Sequence, residues 1–128
     1  MPGLSCEINR SIVGEDRMKE TAIQRAIITL LQYLENSGKL YFFRSGAGAV
    51  RTEKGSYFKT GKPGCPDISV CMDGRYIGLE VKTKKGRQTD KQKEAQQRIE
   101  KAGGEYHIVR SVREVENIIA SQTLSAGM

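Results

Sequence analysis

Apolar residues recur at helical spacing between Arg17 and Asn36, where Ile23, Ile27, Leu31 and Leu34 fall on one face and Ser37-Gly38 supplies a stop. This is the clearest helical signal in the chain. The period then shortens. Leu40 to Arg44 reads as a short strand rich in aromatics, and Asp67 to Met72 and Tyr76 to Thr83 as two more. The last two are joined at Asp73-Gly74, a pair that favours a two-residue hairpin turn. Thr89 opens a second helix that runs to about Ala102 and ends at Gly103-Gly104. Tyr106 to Arg110 is a further strand, and Val112 to Ala120 a closing helix with Val112, Val115, Ile118 and Ile119 as its apolar face. The predicted order is helix, three strands, helix, strand, helix.

Ser45 to Gly64 interrupts this pattern with a glycine-rich stretch that carries Arg51, Lys54, Lys59 and Lys62 around Tyr57 and Phe58. Such length without a clear element is unusual in a compact domain and marks a functional or mobile loop, with room for one strand near Ser56 to Lys59. It is not a phosphate-binding P-loop, because Lys62 is followed by Pro63 rather than Ser or Thr. Residues 1–16 show no sustained period and read as a loose arm, with Ser11 to Asp16 leading into the first helix. Residues 121–128 read as a frayed tail. No repeat or internal boundary divides the chain, so residues 1–128 are expected to form one domain with its core over about 17–120.

Composition adds a partner class. With 21 Lys and Arg against 15 Asp and Glu, the formal net charge of +6 suits a polyanion. An anionic membrane surface would also accept that charge. However, the sequence holds no long apolar run and no N-terminal signal pattern, so a soluble, intracellular, cytoplasmic protein is expected. Cys6, Cys65 and Cys71 cannot all pair within one chain and show no metal-ligand spacing. The single histidine, His107, sits among apolar neighbours on a strand and reads as structural. Any metal would therefore rest mainly on oxygen ligands, which suit magnesium or manganese.

The hairpin concentrates the candidate chemistry. With Asp73-Gly74 as the turn, Met72 faces Arg75, Val70 faces Ile77 and Ile68 faces Leu79. The same register sets Asp67 across from Glu80 on the opposite face, with Lys82 one pleat beyond. Facing carboxylates repel by roughly 0.2–1 kcal/mol, and Cβ atoms about 4.5–5.5 Å apart suit two carboxylates sharing one hard cation. The alternative is plain: Asp67 after Pro66 can cap a turn, and Glu80 and Lys82 can decorate a solvated face.

Gly64-Cys65-Pro66-Asp67 followed by Gly78-Leu79-Glu80-Val81-Lys82-Thr83 resembles the PD-(D/E)XK nuclease signature, and its VRR-NUC branch in particular. The resemblance spans about Arg17 to Ala120. It implies an α/β, restriction-endonuclease-like αβββαβα core, a central mixed sheet flanked by helices. It further implies a Mg²⁺- or Mn²⁺-dependent endonuclease acting on DNA, including branched, flapped or four-way-junction DNA in repair or recombination, and working as a homodimer. By position, Asp67 and Glu80 would be metal ligands, joined by the Val81 carbonyl and by Glu20 of the first helix. Lys82 would orient the attacking water or stabilise charge on the phosphate, with Gln92 beside it. The rival reading is a non-catalytic nucleic-acid-binding module of nuclease ancestry.

Several of these residues have a second explanation. Glu20 lies within about 20° of Ile27 and Leu31 on the helical wheel, and a carboxylate near a helix start also satisfies the dipole. Thr89-Asp90-Lys91-Gln92 is a capping box, which accounts for Gln92 without chemistry. Lys84, Lys85, Arg87, Lys91 and Lys93, with Lys62, form either a solvated face or a phosphate-binding track beside the hairpin. Tyr57 and Phe58 belong to the core or stack on bases.

Overall fold

The structure, a computed structural model, describes residues 12–46, 48–51, 53–55 and 57–126. The elements are α1 (Ile12–Asn36), β1 (Tyr41–Arg44), β2 (Gly48–Arg51), β3 (Tyr57–Thr60), β4 (Ile68–Met72), β5 (Arg75–Val81), α2 (Asp90–Lys101), β6 (Glu105–Val109) and α3 (Val112–Ala126). The main sheet has strand order β1-β4-β5-β6, antiparallel at its first two junctions and parallel between β5 and β6. Helix α2 makes the crossover that a parallel pair requires. Removing β2 and β3 from the series leaves αβββαβα, as expected.

The larger departures from the periodicity are two helix ends and one loop. Helix α1 begins at Ile12 rather than Arg17, because Gly14-Glu15-Asp16 breaks the apolar period without breaking the helix. Helix α3 continues to Ala126 instead of ending at Ala120. There Gln122 takes the place of an apolar residue on the face of Val115 and Ile119, and it is buried with hydrogen bonds to Glu105 and Arg75. The glycine-rich stretch holds two strands, not one, paired as a separate hairpin. Residues 1–11 of the expected arm and the side chains of Tyr57 and Phe58 lie outside the described residues.

Hydrophobic burial fixes the sheet's two faces. Ile68, Val70 and Met72 from β4 and Ile77, Leu79 and Val81 from β5 are buried with Ile27 and Leu31 of α1 and Val115 and Ile119 of α3. Each large aliphatic buried this way stabilises the fold by about 1.5–3 kcal/mol before chain entropy is counted. Asp73 and Gly74 both adopt positive φ, 53° and 76°, the backbone that a two-residue turn needs to match strand twist. The resulting register pairs Met72 with Arg75, Val70 with Ile77 and Ile68 with Leu79. Alternation along the strands then sends Asp67, Ser69, Tyr76 and Glu80 to the other face, which α2 covers in part without burying any of its own residues.

Candidate active site

Asp67 precedes β4, one step beyond the last paired residues, Ile68 and Leu79. Its position is held from both ends. The Val81 N–H donates to Asp67 Oδ2 at 2.9 Å, and the Asp67 carbonyl accepts from Ser45 N–H at 2.9 Å and Gly46 N–H at 3.2 Å. Pro66 is fully buried against Gly78, where an added Cβ would come within 2.4 Å of the proline Cγ. The glycine is therefore what lets the Pro66-Asp67 segment lie against β5.

A hydrogen-bond relay ties the same segment to the sheet. The Ser45 hydroxyl donates to the Pro66 carbonyl at 2.8 Å, and the Ser69 hydroxyl donates to Ser45 Oγ at 2.7 Å. Ser69 has then spent its proton, so the Tyr76 hydroxyl is the donor in their 2.8 Å contact. The Cys65 thiol completes the set by donating to the Ser45 carbonyl at 2.9 Å.

Glu80 is 4% exposed, and its Oε1 has no hydrogen-bond partner. Its Oε2 lies 3.7 Å from Lys82 Nζ, whose side chain is itself 14% exposed. Burial first, then the charge of Asp67 and a hydrogen bond with it, push Glu80 up to about 8, and the nearby Lys82 only partly offsets them. Glu20 adds to the upward push, which places the half-buried carboxylate of α1 within electrostatic reach of the hairpin pair. Tyr106 on β6 is also raised, by burial and then by Glu80, and its buried hydroxyl lacks a hydrogen bond of normal geometry. The site therefore opposes ionisation of Glu80 beside Asp67 more than Lys82 favours it.

The remaining sequence candidates separate by place. Gln92 closes the capping box: its Oε1 accepts from Thr89 N–H at 2.9 Å while its own N–H donates to Thr89 Oγ1 at 3.2 Å. Lys62, Lys84, Lys85, Arg87 and Lys91 are exposed, and three of them stand on the loop that follows Lys82 directly. The Arg110 guanidinium holds that loop through the carbonyls of Thr83 and Gly86. His107 pairs with Glu105 beside Gln122, in keeping with a structural residue. Of the further residues, Ser45, Tyr76 and Tyr106 do not stand out in the sequence. Only Ser69 carries a signal there, two residues from Asp67 on the same face.

Two facing carboxylates with an orphaned buried oxygen fit a hard cation, which would supply the missing positive charge. Among the described residues, no three His, Cys, Asp or Glu side chains already converge as a ligand cluster. Added donors would have to come from the backbone or from movement of Glu20.

No protein-family model matches the sequence, and no curated protein matches it. A solved structure described as a VRR_NUC domain is similar to 80% of this chain and 95% of its own, with a TM-score of 0.56 and 21% sequence identity. At that identity the likeness establishes the fold. It is the restriction-endonuclease-like arrangement, a four-stranded mixed sheet flanked by helices.

Proposed function

We propose that this protein is a Mg²⁺- or Mn²⁺-dependent endonuclease that hydrolyses DNA phosphodiester bonds at the Asp67, Glu80 and Lys82 centre. The observation that carries the reading is Glu80, buried against Asp67 with one oxygen unpartnered and its carboxyl pushed up to about 8. Carboxylates perturbed in this way cluster at functional sites, and a bound cation would offset their mutual repulsion. The fold shared with a VRR_NUC domain supports the same conclusion.

In this reading Asp67 and Glu80 would hold the cation, with the Val81 carbonyl and Glu20 as further ligands. The bound ion would supply Lewis-acid polarisation of the phosphoryl group. The Val81 N–H keeps Asp67 in place for that role. Lys82 directs its ammonium to the same point and stabilises negative charge as it grows on the phosphate. Gln92 keeps the helix cap intact beside it. Lys62, Lys84, Lys85, Arg87 and Lys91 bind backbone phosphates, and a homodimer would bring two such centres to the two strands of flapped or four-way-junction DNA.

The second reading, a nucleic-acid-binding module without catalysis, draws on the lack of a third converging ligand among the described residues. Purified protein incubated with linear, flapped and four-way DNA, with Mg²⁺, with Mn²⁺ or with chelator, separates the two. Cleavage is expected only with metal, and Asp67→Asn and Glu80→Gln should abolish it while the fold persists. Binding without cutting in every metal condition would establish the second reading, and wild-type cutting by either variant would remove the proposed centre.

A further inference from the structure

Helices α1 and α3 bury their apolar faces, yet α2 buries no residue at all. Along the side of α2 that carries the half-buried Ala95 and Ile99 runs a groove of about 630 Å³, walled on the other side by the loop that ends at Pro66. Its floor is apolar: Ile99 and the ring of Tyr76, with the buried Pro66 behind them. Tyr76 remains 37% exposed although its hydroxyl is fixed to Ser69, so the ring is positioned but not covered. Gly104 preserves this space, since a Cβ there would meet Ile99 Cγ2 at 2.9 Å and Tyr76 Cδ1 at 3.1 Å. At the far wall, Gly64 lies against the first turn of α2, where a Cβ would come within 2.1 Å of the Lys91 carbonyl.

The rim has the opposite chemistry. Lys62, Lys91 and Arg98 reach the groove against one carboxylate, Glu94, which lies 3.0 Å from Arg98 and 4.0 Å from Lys91. An occupant with an apolar flat body and more than one negative charge would match both surfaces. The groove ends at Pro66, whose next residue is Asp67, so it lies beside the candidate centre although Asp67, Glu80 and Lys82 do not line it.

We infer that this groove takes an unpaired nucleotide next to the bond to be cut, its base against Tyr76 and Ile99 and its phosphates on Lys62, Lys91 and Arg98. The volume lies within the range of small-ligand sites, about 300–1,000 Å³, and excludes a duplex. A paired base is unavailable to such a floor, whereas an unpaired one stacks on an aromatic ring whatever its identity. The inference rests on the nuclease reading and narrows its substrate to nucleic acid with single-stranded residues at the site of cutting.

The test is binding, measured in chelator so that it does not depend on catalysis. Fluorescence anisotropy compares a short labelled oligothymidylate with a blunt duplex of the same length, for wild type, Ala95→Trp and Tyr76→Leu. Ala95→Trp fills the groove from the α2 wall, and Tyr76→Leu removes the ring. Each should weaken oligothymidylate binding by about tenfold, the scale of a single base stacked on a ring, and leave duplex binding within about twofold. Tyr76→Phe keeps the ring and should bind the oligomer almost normally. A thermal melt of each variant confirms that it folds. Unchanged oligothymidylate binding by folded Ala95→Trp and Tyr76→Leu, or equal losses on both nucleic acids, would overturn the assignment. Should metal-dependent cutting persist beside that result, the nuclease reading would stand without the groove. Selective loss in a protein that never cuts would support the groove and sink the nuclease.

Discussion

Glu80 departs from aqueous behaviour because burial and Asp67 both oppose its charge. Its carboxyl ionises near 4.5 in the unfolded chain and near 8 in the folded one. Between those values the folded protein binds the extra proton, so this contribution to stability is fully present below about 4.5 and is lost as pH rises through about 8. In chelator, the melting temperature should therefore fall across that window, and fall less in Glu80→Gln. Under the proposed function magnesium would compete with the same proton, so its affinity and the cleavage rate should climb over the same range. A wild-type melting curve with the pH dependence of Glu80→Gln would contradict this account. Glu20 makes the complementary case. Its substitution by Gln should cost only about 0.3–1 kcal/mol if it merely faces the helix dipole. As part of the cation's shell, which we expect, the change should shift the magnesium dependence of cleavage to higher concentration. An unshifted curve would return Glu20 to the helix start.

At the scale of elements, the hairpin was legible because each of its parts is local. Asp73-Gly74 dictates the turn, the turn dictates the register, and the register dictates which residues share a face. The end of α3 was not legible, since Gln122 is polar in sequence and buried only because Arg75 and Glu105 come to meet it. Nor was the β2–β3 hairpin, whose short strands lack the alternation that marks a half-buried sheet. Helix α2 offers a test of the capping residues. Thr89 and Gln92 satisfy each other's backbone donors, so Thr89→Ala and Gln92→Ala should each destabilise by about 0.5–2 kcal/mol. Both should leave cleavage and its magnesium dependence nearly unchanged when assayed well below the melting temperature. A loss of rate confined to Gln92→Ala would move that residue from the cap into the chemistry.

For the whole molecule, the net charge of +6 becomes meaningful through its placement. Lys84, Lys85 and Arg87 are exposed on a loop pinned by Arg110, immediately after Lys82. Neutralising all three should weaken DNA binding and flatten its dependence on salt, the slope falling by about one for every phosphate that is no longer neutralised. Binding measured from low to moderate salt checks this, and an unaltered slope would put the phosphate track elsewhere. Within the described residues, no helix is long and apolar enough to cross a membrane.

The sequence by itself determined the αβββαβα order, the hairpin register and the meeting of Asp67 with Glu80, because each depends on periodicity or a tight turn over a few residues. It also marked Glu20 as a carboxylate on an apolar helical face. Only the tertiary structure decided that Glu80 would be buried with an unpartnered oxygen, since burial depends on what several distant segments bring together. The Tyr76–Ser69–Ser45–Pro66 relay joins three parts of the chain, and short polar side chains carry no periodic signal. The groove beside α2 is likewise a property of packing. It exists where the loop and the helix approach without closing, and the size of a gap between elements is not encoded in the pattern of either one.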